Sequence, residues 1–101
     1  MLIYNTTYLV SDQEHNNFLK WIREEHIPFM LESTYFSKPQ MTRIITGSEQ
    51  EGTSFSVQFH VNNLQTLKLW NQKYSTLFQE NCSKKFGTEV LFFTTIMELI
   101  E

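Results

Sequence analysis

Phe55-Ser56-Val57-Gln58-Phe59-His60-Val61 alternates apolar and polar residues at every step. That is the period of a β-strand with one covered face. Phe55, Val57, Phe59 and Val61 fall on the side that meets a core. Ser56, Gln58 and His60 fall on the other. No other segment has so clean a period, and a helical pattern flanks it on either side at similar distance.

Working outward from this strand, Asn62 or Asn63 is placed to cap a helix. Leu64, Leu67, Trp70, Tyr74, Phe78 and Cys82 form its stripe. Lys84 and Lys85 suit the negative end of the helix dipole, and Gly87 suits a left-handed stop. A last strand runs from about Glu89 to Leu99. It is apolar on both parities, with Val90, Phe92 and Ile96 on one and Leu91, Phe93 and Met97 on the other.

On the other side, Gly47-Ser48-Glu49-Gln50-Glu51-Gly52 reads as a polar hairpin loop, and Pro39 to Thr46 as a strand before it. Met41, Arg43 and Ile45 share one face of that strand. Thr34 to Lys38 is a connection. Further back, Ser11-Asp12-Gln13-Glu14 has the pattern of a capping box. The helix it opens carries His15, Phe18, Ile22, Glu25, His26 and Phe29 on one stripe, with Leu19 and Trp21 at its flanks. Pro28 has no amide hydrogen and crowds the carbonyl of Glu24. The helix is expected to stop or kink near His26-Ile27 and to resume to about Ser33. Residues 2 to 10 read as the first strand, rich in β-branched and aromatic side chains.

The order is strand, helix, strand, strand, helix, strand over one domain, 1–101. Such a chain folds as an α+β, ferredoxin-like βαββαβ unit. Its four-stranded antiparallel sheet has the first and third strands in the centre and both helices on one face. The final edge strand is apolar on both faces, and helices cover only one. A bare apolar edge invites association. A second copy of the chain is the expected cover, which makes a dimeric barrel; the alternative cover is the chain's own short C-terminal tail.

Composition excludes several classes. The chain has 101 residues, 41% of them apolar, and a net charge of −3. A phosphate-backbone binder needs a basic face, so no nucleic acid is expected. No apolar run nears the roughly 20 residues of a membrane span, and the start has no basic leader. One cysteine forms no internal disulfide. A reducing cytoplasm fits best.

Ile3-Tyr4-Asn5, Trp21 followed by Glu24-Glu25-His26-Ile27-Pro28, Ser56-Val57-Gln58-Phe59 and Phe86-Gly87 together resemble a family of short bacterial proteins. The family is catalogued as domain of unknown function four-two-eight-six. The resemblance spans nearly the whole chain. It implies a dimeric α/β-barrel-like fold and no particular activity.

The candidate chemistry is modest. His15 and His26 lie about 16 Å apart along a helix axis, so they do not share a metal, and no paired ligand spacing exists. His26 stands at the expected kink. There its ring either satisfies a freed carbonyl or a neighbouring chain, or lines a pocket at the helix end. His60, Gln58 and Ser56 share the non-helix face of the central strand. Asn5 and Thr7 of the first strand share it too, and so does Arg43 if its register allows. These groups either line a small-ligand pocket or hydrogen-bond across a dimer interface.

Dimeric α/β barrels also include cofactor-free monooxygenases and haem-degrading enzymes, to which this chain is similar in architecture. The latter use an Asn, a Trp and a His. Asn5 matches the first, but the second helix has no histidine to bind iron. Cys82 reads as a small buried hydrophobe. The expectation is a homodimeric small-ligand-binding or regulatory module without catalysis, metal or cofactor. Its candidate pocket residues are Asn5, Arg43, Gln58, His60 and His26. The alternative is a cofactor-independent monooxygenase or isomerase with a pocket between sheet and helices.

Overall fold

The structure is a computed structural model that describes residues 1–45 and 51–100. Its strands are β1 (Leu2–Val10), β2 (Phe36–Arg43), β3 (Thr53–Val61) and β4 (Val90–Glu98). They form one antiparallel sheet in the order β2-β3-β1-β4. The first and third strands are central, as a ferredoxin-like chain requires. The helices are α1 (His15–Trp21) and α2 (Ile27–Glu32), joined by a π turn (Ile22–His26), and α3 (Leu64–Phe86).

β3 carries the alternation into the fold unchanged. Phe55, Val57, Phe59 and Val61 are at most 4% exposed, while Ser56, Gln58 and His60 are half-buried. β1 lies beside it with Tyr4, Thr6, Tyr8 and Val10 on the helix side. α3 adds Leu67, Trp70, Phe78, Cys82 and Phe86, and the first helical layer adds Phe18, Trp21, Ile22 and Met30. The result is one continuous core, dense in aromatic rings that meet tilted or edge-on, as ring quadrupoles favour.

The helix starts are local. The Ser11 hydroxyl accepts from the Glu14 amide at 3.3 Å. The return arm of the expected box is absent: the Ser11 amide donates to the Glu89 carbonyl at 3.0 Å, and the Glu14 carboxylate accepts from Asn17. Ser11 is thereby tied to the entry of β4, and the first helical turn is 3₁₀ (Asp12–Glu14). Of the two candidate caps for α3, Asn63 acts. Its side-chain oxygen accepts from the Thr66 amide at 2.9 Å. Gly87 closes α3 with φ 57°.

β2 corrects the expected boundaries. It starts at Phe36, not Pro39, and Phe36 is buried against Tyr4 and Trp70. A bulge between Ser37 and Gln40 absorbs Lys38 and Pro39, and Lys38 takes φ 49° there. Proline cannot donate to the ladder, and a bulge is where it does least harm. The expected end of this strand at Thr46 and the loop residues Gly47, Ser48, Glu49 and Gln50 lie outside the described residues.

Gly52 has φ 85°, and a Cβ there would stand 2.3 Å from the Val10 carbonyl oxygen. The chain enters β3 against β1 too closely for any side chain. No helix among the described residues is long and apolar enough to cross a membrane.

Candidate functional site

The π turn is the local feature that builds the candidate site. Phe18, Ile22, His26 and Met30 recur every four residues, and all are buried. In a straight α-helix four residues overshoot a turn by about 40°, so three steps drift by about 120°. The π turn takes up that drift: the Ile27 amide bonds back five residues to the Ile22 carbonyl. Pro28, one residue on, has no amide to place. The expected stop near His26-Ile27 is thus a change of bonding pattern. The helical backbone continues into α2 with proline in its first turn.

The turn points His26 inward. The ring is 4% exposed. It stacks on Trp21 with centroids 5.0 Å apart and planes 18° apart. It meets Phe78 at 5.0 Å and Phe59 and Tyr8 edge-on further in. Burial pushes its pKa down from 6.5 to about 4, so the imidazole is neutral at pH 7. Among the described residues its ring nitrogens make no hydrogen bond to the protein, yet they are not sealed off: the fully buried side-chain atoms without a partner are the Tyr8 hydroxyl and the Trp70 indole nitrogen. The expected satisfaction of a freed helix carbonyl does not occur.

Above His26 opens a cleft of about 330 Å³ between the first helical layer and α3. Trp21, His26 and Phe78 form its buried floor, and Phe29 is half-buried at its side. Glu25, Asn81, Lys84 and Lys85 are exposed at its mouth.

The other candidates lie elsewhere. Asn5 pairs with Gln58 across the central strands, and His60 pairs with Ile3, all on the face away from the helices. The Ser56 hydroxyl donates to the Asn5 side-chain oxygen, and the Asn5 amide group donates to Thr7 at 3.2 Å. These polar groups therefore satisfy one another in part. Arg43 does not join them. It pairs with Phe55, so it points to the helix side at the sheet edge, where it is exposed. The half-buried Met41, two residues earlier, carries it there, since a strand repeats every two residues. His26 is likewise on the helix side of the sheet. The five candidates thus form one cluster of three and two outliers. None of the three lines the His26 cleft.

Of the cleft residues only His26 was a candidate from the sequence; Trp21, Glu25, Phe29, Phe78, Asn81, Lys84 and Lys85 were missed. The strict four-residue repeat through His26 is the signal that could have exposed the π turn. Cys82 is buried, and burial raises its thiol to about 11, which removes it as a nucleophile at neutral pH. No group of three or more metal-ligating side chains occurs among the described residues.

Solved structures share this architecture. A dimeric ferredoxin-like protein from an uncultured marine organism aligns with TM-score 0.72 at 13% identity, over 99% of this chain and 94% of its own. A candidate antibiotic biosynthesis monooxygenase from Deinococcus radiodurans aligns with TM-score 0.69 at 16% identity, over 100% and 94%. An ethyl tert-butyl ether D family protein from Bacillus halodurans aligns with TM-score 0.68 at 14% identity, over 99% and 100%. At these identities the likeness is one of fold. No curated protein matches the chain. The family model of the domain of unknown function DUF4286 matches residues 1–100, and the chain belongs to that family.

Proposed function

We propose that this protein is a homodimeric small-ligand-binding module without catalysis. Two copies pair through the open faces of their sheets, and each holds a ligand in its own His26 cleft. The observation that carries the ligand site is His26 itself: a buried, neutral imidazole with unused hydrogen-bonding atoms at the floor of a cleft. Its ring nitrogens are not among the fully buried atoms left without a partner, so they are open to whatever enters the cleft. Its lowered pKa also favours binding over proton abstraction, because a base works best with a pKa near the operating pH.

Pairing is supported by the open face. Leu91 and Phe93 are 57% and 63% exposed on β4, and Leu9 and Met97 lie in the same face. Exposed apolar side chains gathered on one face in this way mark an interaction surface. The marine relative is described as dimeric. In the pair, Asn5, Gln58 and His60 would sit between copies and fix their register. Arg43, at the sheet edge, has no part in this site. The lone buried thiol of Cys82 suits the cytoplasm, the location we propose.

Two measurements test the reading. Sedimentation at micromolar concentration should give a dimer; a monomer overturns the pairing. A fragment library titrated into labelled protein should shift the amides and rings of Trp21, His26 and Phe78. Shifts confined to Asn5, Gln58 and His60 would move the site to the open face and overturn the cleft. Oxygen uptake or turnover of any bound fragment would replace the binding module by an enzyme.

A further inference from the structure

We propose that the His26 cleft takes a planar aromatic acid that carries a hydrogen-bonding atom at the end remote from its carboxylate. This rests on the reading of the cleft as the ligand site. The floor sets the first requirement. Trp21 stacks on His26 with planes 18° apart and Phe78 is tilted 55° against the imidazole, so the floor is lined by aromatic rings. Aromatic walls reward a flat partner by offset stacking and edge contacts. The volume of about 330 Å³ is at the small end of ligand pockets, so the ligand is small.

The depth sets the second requirement. A neutral imidazole has one N–H donor and one acceptor. Neither is used by the protein among the described residues. A ligand that brings a hydroxyl or carbonyl to the floor takes the place of water on one of them, whereas a plain hydrocarbon end displaces water and leaves both unmet.

The mouth sets the third. Its titratable groups are Lys84, Lys85 and Glu25, which leave one positive charge in excess. The adjoining groove adds Lys20 and Glu24, whose charges cancel. Lys84 and Lys85 are exposed on the last turn of α3, so their side chains are free to lean over the mouth. Asn81, one turn earlier, adds a neutral donor. An anionic group left at the rim is favoured there, and a cationic one is opposed.

Calorimetric titration of the full chain with 6-hydroxy-2-naphthoate, 2-naphthoate, 2-naphthol and 2-naphthylmethylamine tests this, with the Trp21 indole signal followed by NMR. The hydroxy acid should bind tightest, roughly tenfold better than 2-naphthoate for the one added hydrogen bond. The amine should bind weakest. Lys84→Gln with Lys85→Gln should weaken both acids several-fold and leave 2-naphthol unchanged. His26→Phe should erase the advantage of the hydroxyl while 2-naphthoate still binds. If the amine binds as well as the acids, or the lysine variant binds the acids normally, the ligand class is overturned while a shifted Trp21 signal keeps the cleft. If none of the four compounds moves Trp21 or His26, the cleft itself is overturned.

Discussion

The two faces of the sheet are built from the same four strands and are covered in opposite ways. On the helix face of β3, four apolar side chains are almost wholly buried; one residue along each, the open face carries Ser56, Gln58 and His60. On β4 the contrast collapses. Phe92 packs on Tyr8 and Phe78 under the helices, while Phe93 stands 63% exposed on the other side. A central strand can afford a polar outer face because its neighbours satisfy it, as Asn5, Thr7 and Ser56 do. An apolar edge with no cover on one side points to another copy. The lesson is that alternation identifies a covered face, and its failure on β4 leaves apolar side chains exposed on the face where we propose a second copy.

The sharpest way to break this comparison is to place a charge on either side of β4. Phe92→Glu puts a carboxylate among buried rings without a partner, and should unfold the chain at neutral pH. Phe93→Glu should leave the monomer folded and split the proposed dimer. Circular dichroism and sedimentation of both variants decide it, and equal behaviour of the two would erase the difference between the faces. Phe59→Ala comes next. It empties a core site that is 1% exposed and should cost about 3–5 kcal/mol in urea unfolding. A loss under about 1 kcal/mol would mean that the central strand is not packed.

On the helix face, acid should act through His26. The folded pKa of His26, about 4, lies below its ordinary 6.5. Between these values the unfolded chain binds the proton and the folded chain does not. Stability is therefore full above about pH 6.5 and falls as pH drops toward 4, by about 3 kcal/mol from this group. His26→Phe should flatten that slope in unfolding measured from pH 7 to pH 4; an unchanged slope would assign the acid sensitivity elsewhere. The smallest effect belongs to the open face. Ser56→Ala removes the hydroxyl that serves Asn5 and should cost about 1 kcal/mol. A loss like that of Phe59→Ala would show that the open face is part of the folding core.

Most of the architecture was legible along the chain. The βαββαβ order, the strand at Phe55, the stripe of α3 and the two-faced last strand all follow from periods of two and 3.6. Boundaries failed where backbone detail took over. Phe36 opens β2 because a bulge lets the ladder pass Lys38 and Pro39, and no periodicity announces a bulge. The site was the least legible part. Arg43 was conditional on a register, and the register sent it to the opposite face.

By itself, the sequence determined which residues demand burial and on which period, because hydrophobic patterning is local and repeats with the backbone. It also determined the cap at Ser11 and the stop at Gly87, and narrowed the cap of α3 to Asn62 or Asn63, because caps and stops act through the nearest amides and carbonyls. Only the tertiary structure decided what His26 would be. A wheel places it on a stripe, but the π turn, the stack on Trp21 and the wall from Phe78 on a helix some fifty residues away give it a buried neutral ring above which a cleft opens. Those contacts join parts of the chain that no local period relates. Desolvation, which lowers the pKa of His26, exists only once they are made.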